Sequence, residues 1–160
     1  MVNRLEKLRH EIDRLIMEHQ PYNARYFFNH LYGVSEYCAL LAVRRNLNPE
    51  LAATSGMLHD IYQVTAGTIE NHAIEGALVA EKILRAMNAY SEEEIAVITT
   101  AISKHSKKRK FHSEYDEVLK DADVMSHCFY NTDFSIIEKD AVRYERILEE
   151  LGCNDNTSLS

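Results

Sequence analysis

The stretch Pro49-Glu-Leu-Ala-Ala-Thr-Ser-Gly-Met-Leu-His-Asp-Ile61 decides how the chain folds, because it is largely apolar and ends in a histidine and an aspartate. Its apolar residues recur at helical spacing, which predicts a short buried helix. The last turn of that helix carries His59 and Asp60 together. Neighbouring side chains on a helix point about 100° apart, so both can reach one ion only if it lies between this helix and others. Further ligands must then come from elsewhere in the chain.

A buried imidazole next to an ionised carboxylate needs partners. Burial of the unpaired groups costs several kcal/mol, and a divalent cation satisfies both at once. The alternative is a helix end with two solvated polar residues, since a His-Asp pair occurs often by chance. The dipeptide alone leaves both interpretations open.

Composition and charge limit the class of protein. The 160 residues, 46% hydrophobic and 27% charged, predict one globular domain with a sizeable core. No apolar run approaches the length of a membrane span, and the charged N-terminus lacks a signal-peptide core, so we expect a cytoplasmic protein without membrane contact. Three cysteines without C-x-x-C spacing argue against a disulfide framework. The formal charge of −7 argues against extended nucleic acid as a partner.

Helical periods separated by turn signals predict an all-α, single-domain bundle of six to seven helices. We expect a domain over residues 1–152 and a disordered C-terminal tail over residues 153–160. The predicted helices cover about 3–18, 23–45, 49–60, 71 onward, 91–105, 113–130 and 132–151, with a short loop from Tyr62 to Glu70.

The helix from residue 71 has a distinctive pattern. Asn71 is its predicted N-cap. Four residues are predicted to share one face of it: His72, Gly76, Val79 and Ile83. The glycine, one turn after the histidine, would let another backbone or a ligand come close.

Six polar residues fall on buried faces of five predicted helices. They are His30, His59, Asp60, His72, His105 and one of Asp121 or Asp123. A single buried histidine is more often a hydrogen-bonded core residue than a ligand, but the joint occurrence indicates a metal site. Imidazole and carboxylate without thiolate suit Fe, Mn, Co, Ni or Mg, and six donors exceed what one ion with open positions requires. We expect one or two divalent ions, with two that share bridging ligands as the economical interpretation.

These residues resemble the HD-domain superfamily of metal-dependent phosphohydrolases, whose pattern is a histidine, then His-Asp, then a later aspartate. His30 with Val34 resembles the first element, Gly56-Met-Leu-His-Asp-Ile61 the second, and Lys120-Asp-Ala-Asp-Val124 the last. The resemblance covers about residues 25–130 and implies the family's all-α bundle around the metal. In the last motif the family's ligand follows the alanine, which selects Asp123 over Asp121.

Two further segments are similar to the extra histidines of the two-metal branches. They are His72-Ala-Ile-Glu-Gly-Ala77 and Ala101-Ile-Ser-Lys-His105. Those branches include the di-iron hydrolases of diadenosine tetraphosphate and the HD-GYP cyclic-dinucleotide phosphodiesterases. The sequence departs from the second, because Ser-Lys-Lys-Arg-Lys follows His105 in place of a second histidine and Gly-Tyr-Pro.

Other departures leave the substrate open. His59-Asp-Ile-Tyr62 lacks the following Glu-Asp pair of the guanosine-tetraphosphate hydrolases. Gln63 stands where the related nucleoside-monophosphate phosphatases carry a glutamate.

Resemblance and ligand chemistry together predict a phosphohydrolase that cleaves a phosphoester or phosphoanhydride bond in a small nucleotide by metal-activated water. His59 and Asp60 are the expected catalytic residues. The resemblance implies a first ion held by His30, His59, Asp60 and Asp123, with Asp60 bridging to a second held by His72 and His105. The alternatives are a di-iron oxygenase of the HD type and a non-catalytic metal- or nucleotide-binding module.

A phosphorylated substrate needs positive charge in an acidic protein. The candidates are Lys104, Lys107, Lys108 and Arg109, around the end of the helix that His105 closes, and Arg25 before His30. For the basic segment that follows His105, the alternative interpretation is a solvated loop with no role in binding. The expected partner is a small phosphorylated molecule, and the sequence leaves a homodimer open.

Overall fold

A computed structural model describes residues 3–132, 136 and 138–153, and within these residues the fold is entirely helical. The elements are α1 (Arg4–His19), a 3₁₀ turn (Pro21–Asn23), α2 (Ala24–Arg44), α3 (Pro49–Leu58), α4 (Ile61–Ala66), α5 (His72–Met87), α6 (Glu92–Lys104), α7 (Glu114–Tyr130) and α8 (Glu138–Glu150). The all-α class is confirmed, and none of the described helices has the length and apolarity that a bilayer crossing requires.

Helix α3 is the centre of the bundle. Every residue from Leu51 to Leu58 is buried, and α1, α2, α6 and α7 all pack against it. The closest approach is to α2, where Ser35 Oγ donates a hydrogen bond to the carbonyl of Ala53 at 2.9 Å. Because α3 is surrounded on all sides, the residues at its C-terminal end, His59 and Asp60, emerge inside the protein and are themselves buried.

Local sequence signals explain where the helices begin. The side chain of Asn48 accepts hydrogen bonds from the amides of Glu50 and Leu51, and Pro49 occupies the first helical position of α3. Ser91 and Glu94 form a reciprocal capping box at the start of α6. These caps satisfy amide groups that the helices themselves leave without partners.

Three predictions about elements were wrong in detail. Much of the expected loop from Tyr62 to Glu70 is helix α4, whose Ile61 and Val64 are buried. This helix ends at Gly67, which adopts the left-handed conformation with φ of 68°. Asn71 precedes α5 but adopts the left-handed conformation, and its side chain caps no amide. Thr132, the expected start of the last helix, lies in a turn, and that helix is described from Glu138 to Glu150; residues 133–135 and 137 of the predicted span lie outside the described part of the chain.

Around α5 the expected face is shifted by about one residue. The buried positions are Ala73, Gly76, Ala80 and Leu84. Gly76 does allow a close backbone approach, because a Cβ there would lie 3.3 Å from the carbonyl oxygen of His59. Of the predicted tail over residues 153–160, all but the first residue lies outside the described part of the chain.

The contact between α2 and α3 predicts an asymmetry between two helical glycines. A Cβ at Gly56 would lie 2.7 Å from the Cα of Ser35, so Gly56→Ala should destabilise the fold by roughly 1–3 kcal/mol or more. Gly33→Ala is the matched control. Its Cβ would meet only Ser126 Oγ at 3.4 Å, and alanine should stabilise the helix by roughly 0.5–1 kcal/mol. Urea unfolding of both variants measures this, and equal stabilities would contradict the packing.

Candidate metal centre

The structure brings the six predicted ligands together from five helices. His30 lies in α2 and Asp123 in α7, His59 and Asp60 follow α3, His72 begins α5, and His105 follows α6. All are buried except His72, which is half-buried. Within this cluster the donor atoms form two groups.

The first donor group consists of His30, His59, Asp123 and one oxygen of Asp60. The Nε2 atoms of His30 and His59 are 3.1 Å apart. Asp60 Oδ2 lies 3.4 Å from each of them, and Asp123 Oδ1 lies 3.5 Å from His30 Nε2 and 3.7 Å from His59 Nε2. Two ligands at right angles around an ion, each bonded at about 2.1 Å, would be about 3.0 Å apart. The spacing therefore suits a shared divalent ion.

The second donor group consists of His72, His105 and the other oxygen of Asp60. The two Nε2 atoms are 3.2 Å apart, and Asp60 Oδ1 lies 3.7 Å from that of His72 and 3.5 Å from that of His105. Asp60 thus places one oxygen in each group. Asp60 could therefore supply one oxygen to an ion held by each group.

Backbone carbonyls fix the tautomers of three of these histidines. Nδ1 of His59 donates to the carbonyl of Gly56 at 2.8 Å, that of His72 to Ile69 at 2.8 Å and that of His105 to Ile102 at 2.7 Å. A carbonyl only accepts, so the Nδ1 atoms carry the protons and the Nε2 atoms of the neutral rings carry lone pairs. Lone pairs that face each other across about 3 Å repel unless a proton or a cation lies between them.

Two carboxylate oxygens of this cluster lack a conventional partner. Asp60 Oδ1 and Asp123 Oδ1 are buried and accept no hydrogen bond within normal geometry. An unsatisfied buried charge is costly, and the site offers only oxygen and imidazole nitrogen. This donor set fits divalent ions of the first transition row or Mg²⁺.

The pKa values show how strongly the carboxylates attract positive charge. Burial alone would raise the pKa of Asp60, but the charge of His59 and contacts with His105 and His30 lower it well below its usual range. Burial would lower the pKa of His59, but the negative charges of Asp60 and Asp123 raise it to about 9. Without an ion, His59 is therefore protonated at neutral pH, and its positive charge balances part of the negative charge of Asp60 and Asp123. A bound divalent cation would take over this role.

The structure separates the two aspartates of α7. Asp123 faces the first donor group, whereas Asp121 accepts hydrogen bonds from Arg45 and Arg143, both at 2.6 Å. Periodicity could not distinguish them because both side chains are buried.

The predicted phosphate-binding residues lie in different surroundings. Lys104 forms an ion pair with buried Asp116 at 3.1 Å. Lys108 points inward, where its ammonium donates to Asp123 Oδ2 and, at 3.0 Å, to the carbonyl of His105. Lys107 and Arg109 are exposed. Arg25 is also exposed and lines a cavity next to His30.

Two residues of the site were not foreseen. His127 lies one helical turn after Asp123, and its ring stacks on that of His30 with centroids 5.0 Å apart. Its Nδ1 is 3.9 Å from Asp123 Oδ1. Ser126 Oγ lies 3.3 Å from Nδ1 of His30. The i, i+4 spacing of Asp123 and His127 was the available sequence signal.

Comparisons with known proteins give the family and the fold. The family model described as HD domain matches residues 27–127. The chain is similar to the crystal structure of a predicted HD superfamily hydrolase from an uncultured Thermotogales bacterium, with 23% identity and a TM-score of 0.60 over 89% of this chain and 88% of that one. At this identity the likeness shows the fold. No curated protein matches the chain significantly.

Substitution of the two aspartates of α7 should affect the metal-dependent increase in Tm differently. An ion that binds only the folded state at a hundred times its Kd adds about 2.7 kcal/mol, or about 5–10 °C in Tm. Asp123→Asn should reduce this Mn²⁺-dependent increase, because it removes a ligand of the first donor group. Asp121→Asn should lower Tm through its lost ion pairs yet keep the increase. Thermal melts with Mn²⁺ and with chelator test this, and an unchanged increase in Asp123→Asn would contradict the assignment.

The second donor group predicts a second ion. Protein purified anaerobically should contain about two metal ions per chain, and a His72→Ala, His105→Ala double variant about one. The control is His10→Ala, His19→Ala, which removes two exposed histidines of α1 and should leave two ions. Elemental analysis of the three proteins gives the answer. One ion in each of them would exclude a second site.

Proposed function

Because the chain belongs to the HD domain family, we propose that it is a metal-dependent phosphohydrolase that cleaves a phosphoester or phosphoanhydride bond in a small nucleotide. The observation that supports this most directly is the position of Asp60, whose two oxygens lie in two separate donor groups. A pair of ions bridged in this way suits displacement at phosphorus, because attacking and leaving oxygens both need stabilisation.

Each donor group has a defined role in this proposal. His30, His59, Asp60 and Asp123 would hold the first ion, and His72, His105 and Asp60 the second. When bound, such ions lower the pKa of a coordinated water towards about 7 and neutralise charge on phosphoryl oxygens.

Lys108 orients the first donor group from outside. Its ammonium holds Asp123 Oδ2, so that Oδ1 turns towards His30 and His59. The same ammonium binds the carbonyl of His105 and thus ties both donor groups to one loop. Groups that orient a ligand in this way typically change metal affinity or activity by about 10–100-fold when they are removed.

Arg143 of α8 fixes the loop that carries Lys108. Its guanidinium donates to the carbonyl of Lys108 at 2.7 Å and to Asp121 and Glu117 at 2.6 and 2.7 Å. The main chain at Lys108 is therefore held in place, while the neighbouring side chains of Lys107 and Arg109 extend into solvent. We propose that Lys108 acts at the metal centre and that Lys107 and Arg109 attract the phosphate groups of the substrate.

The reaction itself is tested with purified protein and a panel of nucleotides and phosphoesters, each with Mn, Fe, Co, Ni or Mg. Phosphate release that disappears in His59→Ala and Asp60→Ala is the expected result, since the ligands act as a unit. Absence of every hydrolysis product, measured as free phosphate and as cleaved nucleotide, from every substrate with every metal would refute hydrolysis. Oxygen consumption with a mixed-valent di-iron signal would then identify the oxygenase, and a metal-loaded protein inert in both assays would be a binding module.

Neighbouring lysines predict different kinetic defects. Lys108→Ala should lower kcat/KM by about 10–100-fold and weaken metal binding, because it releases Asp123. Lys107→Ala, the matched control, should raise KM only several-fold, an effect worth about 1 kcal/mol that weakens with salt. Steady-state kinetics at two ionic strengths, with metal titrations, distinguish the two. Identical behaviour would mean that Lys108 has no special role.

A further inference from the structure

A cavity of about 370 Å³ opens beside the metal centre, between the beginning of α2 and the end of α7. One wall is formed by His30, a proposed ligand, and by His127, which stacks on it. The volume is in the range of small-molecule sites. A molecule in this cavity would therefore contact the outer face of the first donor group.

Tyrosines surround the mouth of the cavity. Tyr22 is fully exposed, and Tyr26 and Tyr130 are more than half exposed. Exposed aromatic rings that converge on one concave surface offer flat faces on which a planar ligand can stack. Tyr26 also stacks on His30, with ring centroids 5.7 Å apart and planes 16° from parallel, so the aromatic surface continues to the metal centre.

The polar groups of the cavity match a nucleobase with an attached phosphate. Asn23, Asn29 and Asn131 line it and offer both amide donors and carbonyl acceptors, as the edge of a base requires. Arg25 adds a positive charge, and the described residues that line the cavity include no acidic side chain. In a chain with 25 acidic and 18 basic residues, such a lining favours an anionic ligand.

We propose that this cavity is the base-binding part of the substrate site. The ligand is a nucleoside phosphate whose base stacks on Tyr22 and Tyr130 and hydrogen-bonds to the asparagines, while its phosphate points towards His30 and His127. The placement of the phosphate rests on the proposed phosphohydrolase function. The stacking of the base rests on the cavity alone.

Equilibrium binding tests the base site without turnover. Calorimetric titration of chelator-treated protein, which lacks the ions that hydrolysis needs, with adenosine monophosphate and with ribose phosphate as the base-free probe should show tighter binding of the nucleotide. A Tyr22→Ala, Tyr130→Ala double variant should weaken nucleotide binding about ten- to a hundredfold and leave ribose phosphate unchanged. Asn29→Ala should weaken nucleotide binding several-fold. The control is Leu40→Ala, Val43→Ala, which truncates two exposed residues near the other end of α2 and should have no effect.

Kinetics with the same two compounds separate the two proposals. Release of phosphate with equal kcat/KM for both would support the reaction and overturn the base site. No phosphate release from either compound and no hydrolysis of any substrate in the panel above, together with nucleotide binding that depends on Tyr22 and Tyr130, would overturn the reaction and support the base site. Nucleotide binding that is unaffected in the double variant would also overturn it, and thermal melts of each variant confirm that the fold is intact.

Discussion

The candidate metal centre depends on the hydrogen bonds that turn the Nε2 atoms of its histidines towards Asp60. Four imidazoles point their Nε2 atoms at one carboxylate in two close pairs, and the protons of three of these rings are committed to backbone carbonyls. For His59 and His105 those carbonyls belong to the last turns of α3 and α6, where a helix leaves carbonyl groups without internal partners. One hydrogen bond therefore satisfies the helix end and also turns the metal-binding nitrogen inward. This is why helix ends, rather than helix middles, supply most of the ligands.

Ion pairs and hydrogen bonds around α7 fix the position of this helix relative to its neighbours. Asp121 joins Arg45, the residue that follows α2, to Arg143 of α8, and buried Lys120 donates to Glu117 and to the carbonyl of Lys110. Removing one partner of a buried ion pair typically costs 3–5 kcal/mol, so this network constrains the loop between α6 and α7. The main chain of the basic segment after His105 is thus held in place by hydrogen bonds. As a result, the side chain of Lys108 reaches Asp123.

Much of the fold was predictable because its signals are local. Caps such as Asn48 and Ser91 and the regular apolar spacing of the long helices mark where they begin and which side is buried. Helix α4 was missed because six residues are too few to show a period. Periodicity left Asp121 and Asp123 open, and the family motif selected Asp123. The structure gives the physical reason, because Arg45 and Arg143, both distant in sequence, hold Asp121 away from the site. His127 was missed because an exposed residue carries no burial signal.

The sequence does not distinguish the neighbouring lysines that follow His105, because they are identical residues in the same basic segment. Only the folded structure shows that Lys108 points inward to Asp123 while Lys107 is exposed.

The packing of α2 against α7 relates the metal centre to the proposed substrate cavity. Along α7, Asp121 joins the ion-pair network, Asp123 faces the first donor group, Ser126 contacts His30, and Tyr130 reaches the cavity. The cavity ends of both helices carry exposed side chains that take no part in the core. These residues can vary without disturbing the ligands, so the same metal centre can serve different substrates. The donor groups thus lie within the segment that matches the family, whereas under the proposal above the tyrosines and asparagines of the cavity would determine which ligand this particular chain binds.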